Sequence, residues 1–124
     1  VTIIAPLTRG DIVTSGRFHG VVWRVASGQV VILPVETLGD NPRRRNDVPI
    51  GAWSDLAAMG IAARDLRIRP SLARRCRPDQ TRLGVLPAHL LATVTAAVAR
   101  EVSDLAVERD WHAAHAVRLR GGVR

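Results

Sequence analysis

The sequence predicts a mainly β, α+β fold: a small antiparallel β domain followed by one long C-terminal helix. Three observations predict it. Two β-branched runs, residues 20–26 and 29–35, flank the turn pair Ser27-Gly28, the pattern of a β-hairpin. Further short apolar runs are separated by Gly, Pro and polar clusters. After Pro87 the apolar spacing changes to threes and fours, the period of a helix with one buried face. The 124 residues are the length of one domain, long enough to bury a core without disulfides or metals. Residues 1–124 are therefore read as a single domain, with the β part at 8–84, the helix at 87–107 and an extension at 108–124.

The elements follow in order. Thr8-Arg9-Gly10-Asp11 reads as a turn leading into a strand at Ile12-Val13-Thr14, and Ser15-Gly16-Arg17 as a loop. In the hairpin, Pro34 suggests a strand end or an edge, because proline has no N–H to give a ladder. Residues 37–47 form a polar loop holding Arg43, Arg44 and Arg45. Val48-Pro49-Ile50 is a short strand. Residues 53–59 make one or two helical turns, stopped by Gly60, with Ser54 or Asp55 as cap. Leu66 and Ile68 alternate with Asp65, Arg67 and Arg69, as in a strand with one wet face. Residues 70–82 read as irregular and basic. Pro87 is suited to a first helical turn, and Leu90, Leu91, Val94, Val98, Val102 and Leu105 supply the apolar stripe.

Composition narrows the function. There are 18 basic and 11 acidic side chains, a formal net charge of +7, and every basic residue is Arg. Such a balance points to a polyanionic partner, nucleic acid first, although a GC-rich coding sequence also enriches Arg. Clustering says more than the total. Arg43, Arg44 and Arg45 form one run; Arg64, Arg67, Arg69, Arg74 and Arg75 form another, extended by Arg77 and Arg82. Arginine holds phosphate through a planar fork and stacks on bases; an acidic protein segment would meet the same field. A single Cys, Cys76, excludes an internal disulfide and a Cys-based zinc site. No apolar run reaches the length of a membrane span, and residues 1–7 lack the basic start and cleavage site of a signal peptide. A cytoplasmic location without membrane attachment is expected. Motifs for nucleotide cofactors and zinc proteases do not occur. His112 and His115 have helical spacing but no third ligand, so no metal and no cofactor is expected.

Four segments in order resemble the MazF/PemK-type toxins of toxin–antitoxin pairs. Arg9-Gly10-Asp11-Ile12-Val13 is similar to that family's opening strand. The hairpin follows, with Leu33-Pro34-Val35-Glu36-Thr37 where the family has a proline and a threonine. Residues 63–74, Ala-Arg-Asp-Leu-Arg-Ile-Arg-Pro-Ser-Leu-Ala-Arg, parallel its basic strand and turn. Arg82-Leu83-Gly84-Val85-Leu86-Pro87 matches the lead into its C-terminal helix. The likeness covers residues 8–105. It implies an SH3-like antiparallel barrel and a homodimer. It also implies metal-free cleavage of single-stranded RNA at short sequences and a cognate antitoxin whose acidic segment covers the RNA groove.

The candidate site departs from the family pattern. Where the family has a catalytic Arg, this chain has Phe18-His19-Gly20, with Arg17 two residues before His19. The position of the catalytic Thr is Glu36, and Thr37 follows it. RNA cleavage through the 2′-OH needs a base, an acid and a cation for the charged phosphate. His19 and Glu36 are the candidate acid/base pair, Arg17 the cation, and Thr37 the displaced hydroxyl. Arg43, Arg44, Arg45, Arg74 and Arg75 are candidate RNA contacts. Trp23 is expected in the core or at a dimer contact rather than stacked on a base, Trp53 in the core with stacking on a base or an antitoxin side chain as the alternative, and Cys76 has no placed base that would make it a nucleophile. Two other functions fit the same sequence: a non-catalytic member of the fold that binds a protein, as CcdB toxins bind gyrase, or a small basic nucleic-acid-binding domain.

Overall fold

Strand β1 (Asp11–Ser15) pairs antiparallel with β2 (Phe18–Ala26), and β2 with β3 (Gln29–Thr37). The computed structural model describes residues 6–15, 18–26, 28–37, 43–63, 65–76 and 81–121, with backbone only at Ser15 and 117–121. Short strands β4 (Val48–Ile50), β5 (Leu66–Ile68), β6 (Arg74–Cys76) and β7 (Thr81–Val85) complete an antiparallel sheet ordered β4-β5-β3-β2-β1-β7, with β6 also on β3. Two helices accompany it, α1 (Trp53–Met59) and α2 (Ala88–Gly121).

One edge of β3 is shared by two strands. Val35, Glu36 and Thr37 pair with Ile68, Arg67 and Leu66, and Val30, Val31 and Ile32 with Cys76, Arg75 and Arg74. Between these ladders the chain takes a 3-10 turn over Pro70–Leu72, and the Arg69 N–H donates to the Pro34 carbonyl at 2.9 Å. Pro34 is thus buried mid-strand rather than at an end. Its missing N–H falls in the gap between the two ladders, where no partner waits for it.

The sheet is not closed by strand pairing among the described residues. Helix α1, which follows edge strand β4, packs instead against β7 at the opposite edge. Gly60 and Gly84 permit that approach. A Cβ on Gly84 would lie 2.4 Å from the Ala58 carbonyl oxygen, and one on Gly60 would lie 2.4 Å from that of Leu83. Gly60 also ends α1 in the left-handed region, at φ 72°, where a Cβ is strained. The expected side-chain cap is not used: Ala52 is the N-cap, with no side-chain hydrogen bond.

Alternation divides the apolar residues between two cores. Ile12, Val21, Leu33 and Val35 face the larger core, which is completed by Leu56 and Met59 of α1 and by Leu90, Val94 and Ala97 of α2. Val13, Val22, Val30 and Ile32 form a smaller core on the other face. The Arg9-Gly10-Asp11 motif serves this framework. The buried Asp11 carboxylate accepts from the Thr8 N–H and from Arg82 Nη2, both at 2.8 Å. The Arg9 guanidinium lies 4.7 Å from the ring centroid of the half-buried Trp23.

Helix α2 runs to Gly121, 34 residues in all, or about 50 Å, past residue 107, the least extent its sequence pattern gives, and past about 117, the furthest. Its buried face ends at Glu101. Val102 and Leu105, read from the sequence as part of the apolar stripe, are exposed.

Candidate functional site

The β2–β3 register sets the site. His19 stands opposite Val35, so the two share a face of the sheet, and Thr37, two residues on from Val35, projects to the same face. Glu36 projects to the opposite face. A cleft of about 620 Å³ opens here, lined by Phe18, His19, Val35, Glu36, Thr37, Leu66 and Leu83, with the segment Gly60, Ile61, Ala62 and Ala63 as one wall. Three of the four candidate catalytic residues, His19, Glu36 and Thr37, therefore border one cleft. Arg17, like Arg64 and Arg77 of the basic runs, lies outside the described residues.

The Glu36 carboxylate is engaged. Arg69 Nη1 donates to its Oε2 at 2.8 Å, and Arg69 Nε donates to Asp47 Oδ1 at 3.4 Å. Arg67 Nη1 approaches Asp47 Oδ2 at 3.8 Å. This ion network lies largely out of solvent: Arg69 is 4 % exposed, and the Arg67 Nε atom is buried with no partner among the described residues. The hydrogen bond that Arg69 donates to Glu36 is the main reason that the pKa of Arg69 is raised, and burial opposes it. The face of β5 that alternation assigns to solvent is therefore a buried charged layer. Asp47, its hinge, was read from the sequence only as part of a polar loop.

The basic loop is tied to the helix. Arg45 Nε donates to both carboxylate oxygens of Glu101, at 2.9 and 3.1 Å, and its guanidinium also pairs with Glu108. Asn46 Nδ2 donates to Glu101 at 3.1 Å and to Asp104 at 3.0 Å. The Glu108 bond, then the Glu101 bonds, raise the pKa of Arg45, and the Arg45 bond lowers that of Glu108. Arg43 and Arg44 are exposed. On β6, Arg74 and Arg75 are exposed, and the Arg74 guanidinium lies 4.9 Å from the centroid of the Phe18 ring, which packs on the smaller core. Of the five candidate RNA contacts, Arg45 is occupied by α2, and Arg74, paired with Ile32, shares the face of the smaller core, opposite His19.

Trp53 departs most from its sequence reading. It is 82 % exposed rather than in the core. It borders two cavities beside the cleft, of about 340 and 300 Å³, and both also touch Leu56 and Ala63. A tryptophan opening a short helix next to apolar residues carries no sequence signal that distinguishes a rim from a core position. Trp111 is also exposed, with its ring stacked on His115 at 3.5 Å between centroids. No group of three potential metal ligands occurs among the described residues, and no described helix is long and apolar enough to cross a membrane.

No protein-family model matches the chain, and a search of curated proteins finds no match. Solved structures do match. A crystal structure of MazE–MazF from Deinococcus radiodurans (Form-III) aligns with a TM-score of 0.60 at 17 % identity, covering 80 % of this chain and 98 % of that one. A second crystal form (Form-II) aligns with a TM-score of 0.58 at 18 % identity, covering 80 % and 97 %. The fold is MazF-like.

Proposed function

We propose that this chain is the toxin of a toxin–antitoxin pair and cleaves single-stranded RNA in the cleft bordered by the ends of β2 and β3 and by residues 60–63. The observation that carries the reading is the placement of His19 and Thr37 on one face at the mouth of that cleft, within a MazF-like fold. The neighbouring structures are of MazE–MazF. That supports a protein partner for this chain too, and an acidic segment would complement its net charge of +7.

In this reading the neutral His19 imidazole takes the proton of an RNA 2′-OH. The 2′-oxygen attacks the adjacent phosphorus, and the bond from phosphorus to the 5′-oxygen breaks. The imidazolium then returns the proton to that leaving oxygen. Thr37 donates its hydroxyl to a phosphate oxygen. Arg17, close to His19 in sequence, supplies positive charge as the pentacovalent phosphate forms. The Glu36–Arg69 pair fixes the end of β3 from behind. The products are a 2′,3′-cyclic phosphate and a 5′-hydroxyl.

The test uses the purified chain and single-stranded RNA. His19→Ala should lower the cleavage rate at least about a hundredfold, the usual contribution of one positioned proton-transfer group. Cleavage by His19→Ala at the parent rate contradicts the assignment. Tight RNA binding without cleavage by the parent makes the chain a binding module.

A further inference from the structure

We infer that Trp53 and Asp65 form a binding pocket for a guanine base beside the His19 cleft. The inference rests on the RNA reading of that cleft and adds a base preference to it.

The pocket is built from three observations. The first is the exposure of the Trp53 indole, which leaves an aromatic surface open to a planar partner. The second is continuity. The 300 Å³ cavity bordered by Trp53 and Asp65 shares Ala63 with the 620 Å³ cleft bordered by His19 and Thr37. A strand whose phosphate sits at His19 can therefore lay a neighbouring base along this wall. The third is the state of the carboxylate. Asp65 is exposed and has no hydrogen bond or ion pair among the described residues, whereas nearby Asp55 pairs with His89 at 3.1 Å. Asp65 adopts φ 51°, an uncommon conformation for a residue with a Cβ. Its Oδ1 stands 3.8 Å from the place a Cβ on Gly51 would occupy, an ordinary contact distance.

The chemistry selects the base. Single-stranded RNA is read by stacking bases on aromatic rings and by hydrogen bonding to their Watson–Crick edges. An ionised carboxylate only accepts, with two oxygens side by side. Guanine alone presents two adjacent donors, N1–H and N2–H, on that edge. Adenine and cytosine present one donor beside an acceptor, and uracil one donor between two acceptors, so each sets a lone pair against the carboxylate. Arginine or lysine from a protein partner would also suit an indole beside a carboxylate. The continuity with the His19 cleft favours the base.

The experiment uses the full chain with Trp23→Phe and Trp111→Phe, which leaves Trp53 as the only indole. Single-stranded hexaribonucleotides of five uridines and one variable nucleotide are titrated while Trp53 fluorescence is followed. The guanosine oligomer should quench Trp53 and bind about tenfold or more tightly than those carrying adenosine, cytidine or a sixth uridine. Adding Asp65→Asn should erase that preference. Trp53→Ala should weaken binding of the guanosine oligomer about ten- to a hundredfold, read by anisotropy of an end-labelled oligomer, as expected on losing one stacked base. Equal affinity for all four oligomers, or no binding with quenching only by a basic peptide, overturns the inference. Cleavage that depends on His19 but leaves Trp53 unperturbed removes the pocket and leaves the proposed function standing. Guanosine-selective quenching without cleavage keeps the pocket and removes the nuclease.

Discussion

Asp47 stands between two mostly buried guanidinium groups, Arg67 at 3.8 Å and Arg69 at 3.4 Å, with its own side chain 5 % exposed. Removing one member of a buried charge group leaves the others uncompensated, which costs far more than a surface pair contributes. Asp47→Asn should therefore destabilise the fold by about 3 kcal/mol or more, measured by urea unfolding. A loss below about 1 kcal/mol would show that water reaches the network. This layer was only half legible in the sequence. Alternation showed that Arg67 and Arg69 share a face, but a period of two does not say whether that face is wet. The answer depends on Glu36 and Asp47, which are distant in sequence and meet β5 only through strand register. The same limit applies at the cleft. Motif order located His19, Glu36 and Thr37, but only the pairing of His19 with Val35 sends Glu36 to the other face.

At the scale of elements, the tie between residues 43–47 and α2 joins the most basic loop to the most acidic helical face. The pKa of Glu108 is lowered, chiefly by its hydrogen bond to Arg45. A carboxylate with a lowered folded-state pKa stabilises the tie above the unfolded-state pKa, and that contribution is lost as pH falls through the folded-state value. Both groups are solvated, so the effect on global stability is small. NMR titration of the Glu108 carboxyl should give a midpoint below the ordinary glutamate value of about 4.3, and Arg45→Gln should return it there. A midpoint at or above that value in the parent contradicts the tie. Elements with strong local patterns were readable: the β2–β3 hairpin, β4, α1 up to Gly60, and the start of α2. Strands β6 and β7 were not. Arg74, Arg75 and Cys76 carry little β signal, and they form a strand only because Ile32, Val31 and Val30 offer a free edge. The end of the buried stripe on α2 was equally hidden, since Val102 and Leu105 keep the helical period after the sheet beneath them has run out.

Across the whole molecule, the arginine charge is unevenly available. Arg45, Arg67, Arg69 and Arg82 are engaged by carboxylates of the chain itself, while Arg43, Arg44, Arg74 and Arg75 are exposed. The open sheet, with α1 packed against its far edge, leaves the cleft bordered by the ends of β2 and β3 and by the segment after α1. The proposed cutting of RNA in this cleft can be read in cells. The most direct measurement is to induce the chain and its His19→Ala variant in a bacterial host, follow growth, and sequence RNA ends carrying a 5′-hydroxyl. Cleavage in this cleft should give growth arrest with new ends at one recurring short sequence, both absent with His19→Ala. Arrest with intact RNA, or identical RNA ends from parent and variant, would contradict it.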